Sequence, residues 1–270
     1  MELIKDRVRL EIKGELAYVS LARADKRNGL DLVMMEALVE AARRIKKDRA
    51  LRAVILQGEG PAFCAGLDFA SVTKTPVKMF RAFTKYGIKK TNLYQEMCWC
   101  WRELPIPVLA VVQGQCFGGG LQLALAADFR FATPDSDWSV MEAKWGLIPD
   151  MTAMLTLREV VRMDVARELT YTGRIIKGDE AHTLGLVSHL AADPLAAALA
   201  LAEEIITRSP DSVSAAKSLL NQSWHADENT TLNLESSFQF KLLRSKNQRR
   251  AMKANFAKQR AEFLPRQADY

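Results

Sequence analysis

The chain has 270 residues, 49% of them hydrophobic and 26% charged, with a net charge of +6. That length allows one large or two small domains with a substantial core. No uninterrupted apolar run approaches the ~20 residues of a membrane-spanning helix, and the start MELIKDRVRLEIKGE lacks a signal peptide's apolar centre, so a cytoplasmic protein without membrane partners is expected.

Taken in chain order, Val8–Lys13 and Leu16–Leu21 flank Gly14 and predict a hairpin. Asp31 can cap a helix, and Leu32, Met35, Leu38, Val39, Ala42 and Ile45 then recur at helical spacing. RAVILQ (52–57) reads as a buried strand ending at the turn GEGP. Residues 77–104 look helical, with an ambiguous middle around Gly87, and Pro105 and Pro107 stop them. Strands are expected at 108–113 and Phe129–Ala132, separated by a glycine turn and an Ala-rich helix. This βαβ succession implies an α/β fold with right-handed crossovers. After residue 150 helices dominate: 151–161, 165–171, 195–208, 212–221 and 228–262, the last breaking near 245–247. An α/β core at 1–195 with a helical part at 196–270 is therefore expected.

Four cysteines, Cys64, Cys98, Cys100 and Cys116, read as free, mostly buried thiols. The CWCW run lacks a second Cys/His pair at zinc spacing, so no metal is expected. Arg244, Lys246, Arg249, Arg250, Lys253, Lys258 and Arg260 make a basic stretch. It is either a solvated helix face or a surface for a polyanion. No recognition motif points to nucleic acid, and a small polyphosphorylated ligand fits at least as well.

The segment QGQCFGGGLQ (113–122) lies between a strand and a helix. Its glycines allow positive φ, and the first N–H groups of the helix are unpaired and partly positive. Such a turn can hold a phosphate, hold a thioester enolate or simply be tight. It lacks the Lys-Ser/Thr of a P-loop and the spacing of a dinucleotide fingerprint. A second turn, PAFCAGLDF (61–69), also follows a buried strand. Two such turns could direct two N–H groups at one oxygen, the geometry of an oxyanion hole.

Five segments, RADKRNGLD (23–31), AVILQGEGPAFCAGLDF (53–69), PVLAVVQGQCFGGGLQLALAADFRFA (107–132), MEAKWGLIPD (141–150) and LTYTGRIIKGDEAHTLGLVSHL (169–190), occur in that order. Together they resemble the crotonase (enoyl-CoA hydratase/isomerase) superfamily. The resemblance implies a ββα superhelix core and a helical C-terminal region that trimerises and covers the coenzyme A site. It implies an acyl-CoA thioester substrate, homotrimers or dimers of trimers, and no metal or redox cofactor, coenzyme A being part of the substrate. It places the oxyanion-hole donors at the Leu67 and Gly119 N–H groups. Ala65 and Gly66 would meet the adenine, Lys26 and Arg27 the phosphates, and Lys258 from a neighbouring subunit the ribose phosphate.

Hydratases of the family carry two glutamates. Glu142 matches one, but Gln122 stands where the other would be and cannot act as a base, which argues against ordinary hydration. Gln122 could still orient substrate or water through its amide. Asp150 matches an aspartate that partners a glutamate in dienoyl-CoA isomerases of the family, and a nucleophilic aspartate in its aromatic-CoA dehalogenases; it could equally cap the helix expected from Met151, and capping and catalysis are compatible. Trp138, Val140, Met141 and Trp145 imply a partly apolar setting that would raise the pKa of Glu142. Met79, Phe80, Phe83 and Tyr86 fall where the family lines its acyl pocket. Met97 and Trp101 either extend that wall or belong to the core. His182, His189 and His225 match no catalytic position. Double-bond isomerisation is the expected activity, with hydration or non-catalytic acyl-CoA binding as alternatives.

Overall fold

The structure is a computed structural model that describes residues 1–85 and 90–270; Tyr86 and Gly87 lie outside them. The chain opens with the meander β1 (Glu2–Ile4), β2 (Val8–Lys13) and β3 (Leu16–Leu21), then α1 (Leu32–Lys47) and β4 (Ala53–Gly58). Asp31 caps α1 as expected, accepting from Met34 N at 2.7 Å. After α2 (Phe69–Val72), the stretch expected to be one long helix holds two, α3 (Pro76–Ala82) and α4 (Leu93–Arg102). Asn92 starts α4 with a capping box closed by Gln95, a strong start signal just after the middle read as ambiguous.

Next come β5 (Val108–Val112), β6 (Gln115–Phe117), α5 (Gly119–Leu125), β7 (Phe129–Ala132) and β8 (Asp137–Ser139). They are followed by α6 (Ala153–Val160), α7 (Met163–Thr172), β9 (Ile176–Lys177), α8 (Gly178–Leu184) and β10 (His189–Leu190). The chain ends in α9 (Pro194–Ile206), α10 (Pro210–Ser223), α11 (Glu228–Leu243) and α12 (Lys246–Phe256). Ser245 caps α12, so the expected break near 245–247 is present. The strands β1, β6, β8, β9 and β10 were not anticipated, because two or three residues carry no readable alternation.

The main sheet has the order β1-β2-β3-β4-β5-β7-β10, antiparallel through β3 and parallel from β3 onward. Alternate residues of the parallel strands serve two faces. Val54, Leu56, Val108, Ala110 and Val112 join the larger core with α1, α4 and α5. Ala53, Ile55, Leu109, Val111 and Phe131 meet Ala198 and Ala202 of α9 on the other face. A second sheet, β6-β8-β9, places the glycine turn after β6 beside the segment after β8. Met97 and Trp101 are fully buried in the larger core. Among the described residues no helix is long and apolar enough to cross a membrane.

Lys217 ties α10 to the α/β core. Its Nζ donates to Asp128 Oδ2 at 2.6 Å and to Ile106 O at 2.9 Å, while Asp128 also accepts from Val108 N. Burial pulls the Lys217 pKa down, and the Asp128 charge opposes that. Lys217→Met strands Asp128 in a partly dry site and is expected to lower unfolding free energy by about 3 kcal/mol. Denaturant unfolding measures this; an unchanged midpoint would refute the role of the bond.

Candidate active site

The turns 61–69 and 113–122 are joined backbone to backbone. Cys64 N donates to Gln115 O at 2.9 Å, and Phe117 N donates to Cys64 O at 3.0 Å. Gly66 has φ +92, and a Cβ there would lie 2.9 Å from Phe117 O, so only glycine permits this approach. A Cβ on Gly120 would lie 2.6 Å from Cys64 O. Leu30 N donates to Gly66 O and Leu30 O accepts from Asp68 N, a parallel bridge around Leu67. Strand alternation turns the Leu67 N–H away from that bridge. Gly119 is the first residue of α5, so its N–H has no intrahelical acceptor. Among the described residues neither N–H has a backbone acceptor.

Glu142 follows β8 in a 3-10 turn, Met141–Trp145. Its Oε1 lies 3.3 Å from where a Cβ on Gly118 would stand, so the carboxylate sits directly over the glycine turn. Trp138 and Val140 are buried beside it, whereas Trp145 is mostly exposed and its ring meets Phe69 at 4.6 Å. Burial raises the Glu142 pKa above the usual glutamate value, the Asp150 charge adds to the rise, and hydrogen bonds from its own backbone and from Gln122 oppose it. Oε2 of Glu142 is buried and has no partner among the described residues.

Gln122 is fully buried and both ends of its amide are engaged. Nε2 donates to Glu142 Oε1 at 2.6 Å; Oε1 accepts from Met151 N at 2.7 Å and Ala153 N at 3.3 Å. The amide is thus committed to the protein and does not face a substrate, contrary to the expectation that it could orient one.

Asp150 does not cap the following helix. That helix starts at Ala153, its N-cap is Thr152, and no side chain caps it; the Gln122 oxygen receives the Ala153 N–H instead. Burial raises the Asp150 pKa. Burial, and then the Asp150 charge, push the Tyr94 phenol up to about 12, which places Asp150 beside α4. Asp150 also lines a cavity of ≈ 430 Å³ with Gln95, Trp99, Ile148, Met154 and Leu155. Of the expected acyl-pocket residues on α3 and after it, Phe80 is exposed and Phe83 packs on Tyr94 at 4.5 Å; Tyr86 lies outside the described residues.

The remaining expected residues divide. Ala65 N donates to Arg27 O, and Arg27 Nη1 donates to Gln115 Oε1, so Lys26, Arg27, Ala65 and Gly66 share one neighbourhood, with both cations exposed. Lys258 lies beyond α12, a helix that packs on α10 and α11, and within the chain no hydrogen bond joins it to that neighbourhood among the described residues. His189 stacks on Phe131, and His225 lies 3.7 Å from Glu159.

Two structural residues were missed. Asn28, buried at φ +56, donates from Nδ2 to Glu59 O and Ala62 O and accepts the Cys64 thiol on its carbonyl. Asn is among the few residues that tolerate this backbone region, which was the available signal. Arg23 Nη1 reaches Asp68 Oδ2 at 2.8 Å and Gly29 O at 3.0 Å, fixing the far end of the same turn.

The family described as enoyl-CoA hydratase/isomerase matches residues 11–265. The chain belongs to that family. It is thus a member of the crotonase superfamily, and the α/β expectation agrees with its known structures. A crystal structure of an enoyl-CoA hydratase from Bacillus anthracis superposes with a TM-score of 0.87 at 26% identity, covering 95% of this chain and 98% of that one. The enoyl-CoA hydratase EchA19 of Mycobacterium tuberculosis is 30% identical over 254 residues, 93% of this chain and 94% of its own. The mitochondrial Delta(3,5)-Delta(2,4)-dienoyl-CoA isomerase of Rattus norvegicus is 34% identical over 208 residues, 74% of this chain. The match spans 64% of that enzyme's length. Both hydratases and an isomerase are therefore relatives of this enoyl-CoA hydratase/isomerase family member.

Thr152 sits at φ +77, a region a β-branched residue rarely adopts, and its Oγ1 is buried without a partner among the described residues. Thr152→Gly is expected to raise stability by about 1–2 kcal/mol through relief of the left-handed strain. Thermal unfolding of the two proteins checks this, and a lower melting temperature in the variant would contradict it.

Proposed function

We propose that the protein moves a carbon–carbon double bond within an acyl-CoA thioester, as a dienoyl- or enoyl-CoA isomerase. The observation that carries this reading is the direct 2.6 Å hydrogen bond between Gln122 and Glu142. It leaves no room for a water between residues 122 and 142, and residue 122 offers no second base there to deprotonate one. Asp150 supplies a second carboxylate whose charge reaches Glu142.

In this reading the Leu67 and Gly119 N–H groups receive the thioester oxygen as it gains enolate charge, each contributing about 3–4 kcal/mol to the transition state. Glu142 removes a proton from an α- or γ-carbon, and Asp150 returns one at a more distant carbon. A raised carboxylate pKa suits both steps, because base strength and acid strength are then balanced nearer neutral pH. Lys26, Arg27, Ala65 and Gly66 hold coenzyme A, with Lys258 contributed by a neighbouring subunit. The reading invokes no metal or redox cofactor. Leu232, Phe240, Leu243 and Phe256 expose apolar surface on α11 and α12, which supports assembly into trimers or dimers of trimers. A solution mass of three or six chains is expected; a monomer would reject this assembly.

With 3,5-dienoyl-CoA and 3-enoyl-CoA panels, conjugation absorbance is expected to shift, and no shift above background would refute isomerisation. Glu142→Gln is expected to lower kcat by about 10²–10⁴ for both panels. Asp150→Asn should impair the dienoyl reaction far more than the enoyl one. Unchanged turnover in both variants would deny the two carboxylates their roles. Activity should decline as pH falls through the Glu142 pKa, which lies above the ordinary glutamate value because burial disfavours the carboxylate. In heavy-oxygen water no label should enter the product; a labelled 3-hydroxyacyl-CoA would establish hydration instead.

A further inference from the structure

Gln122 accepts two backbone N–H groups on one amide oxygen. Backbone N–H groups only donate, so the two ends of this amide cannot be exchanged. Its NH₂ group must then face Glu142, and Oε1 of Glu142 must accept. A proton carried by Glu142 is consequently directed to Oε2, the oxygen that has no partner among the described residues. The other end of the amide holds Met151 and Ala153, the residues that follow Asp150 in the chain. One side chain thus spans from the first carboxylate to the segment that carries the second.

We propose that Gln122 is a positioning residue that fixes Glu142 and Asp150 relative to each other and assigns proton exchange to Oε2 of Glu142. The role is specific to glutamine. A glutamate at 122 would still accept from Met151 and Ala153 but would present a second carboxylate oxygen 2.6 Å from Glu142 Oε1. Two carboxylates that close cannot both ionise and would share a proton. A methionine would fill the space and offer neither donor nor amide acceptor. The inference rests on the isomerase reading for its catalytic meaning, while its geometry, the Gln122 bonds to Glu142 and to the segment after Asp150, stands apart from that reading.

The test compares Gln122→Glu and Gln122→Met with the unmodified protein, using two readouts. The first is titration of the Glu142 carboxyl, followed by carbon NMR in the ligand-free protein with Glu142→Gln to assign the signal. Loss of the Gln122 donor is expected to move that titration to higher pH in Gln122→Met, since this hydrogen bond holds the pKa down. In Gln122→Glu it should split into two coupled steps, the upper one above the wild-type value. The second readout is the pH profile of kcat with a 3,5-dienoyl-CoA. The acidic limb should move to higher pH with the titration, and kcat should fall about 10²-fold with KM little changed, as expected for misplaced reacting groups.

A Glu142 titration that coincides in all three proteins overturns the inference, whatever the activity. So does a variant that loses stability while its folded fraction keeps the wild-type pH profile, because that is a purely structural effect. If Gln122→Met does not fold, Gln122→Glu decides alone, since it retains the acceptor for both N–H groups. A shifted titration with no dienoyl-CoA turnover in the unmodified protein sinks the isomerase reading and leaves the positioning of Glu142 standing.

Discussion

Two turns that each follow a buried parallel strand touch through their backbones, and the site depends on that contact. Gly66 meets Phe117 O, Gly120 meets Cys64, and reciprocal hydrogen bonds between 64 and 115–117 lock the approach. A single Cβ at these glycines would force the turns apart by a distance comparable with a hydrogen bond's tolerance. Everything else in the site is placed by reference to this contact: the Leu67 and Gly119 N–H groups beside it, Glu142 over Gly118, and Asn28 behind it holding 59 and 62.

The second determinant is desolvation. Glu142 and Asp150 come from one short stretch of chain, and burial is the largest cause of the raised pKa of each. Among the described residues neither forms an ion pair; those of the neighbourhood, such as Arg23 with Asp68, serve the turn instead. Partial desolvation disfavours the charged form of a carboxylate and raises its proton affinity toward a range useful for proton transfer. Gln122 moderates that effect at Glu142 with a single hydrogen bond.

Much of the architecture was readable because it rests on local rules. Asp31 followed by apolar residues at helical spacing gave α1, and the apolar runs at 53–57 and 108–112 gave β4 and β5. Asp150 shows the opposite case. An aspartate just before a helix resembles a cap, yet the helix begins at Ala153 and a side chain from residue 122 receives its first N–H. No local pattern could report that, since the acceptor lies 31 residues away from the donor. Likewise Met97 and Trp101 have the same apolar character whether they line a pocket or fill a core, and only packing separates the two.

The sequence by itself determined the βαβ order, the glycines where backbones must pass closely, and the absence of a second carboxylate at position 122. These follow from steric and chemical properties of single residues or short runs. The tertiary structure decided what Gln122 does, which N–H groups are left unpaired, and which carboxylates are partly desolvated. Each of those depends on atoms brought together from distant segments, where burial and hydrogen-bond accounting are set by neighbours the sequence does not list side by side.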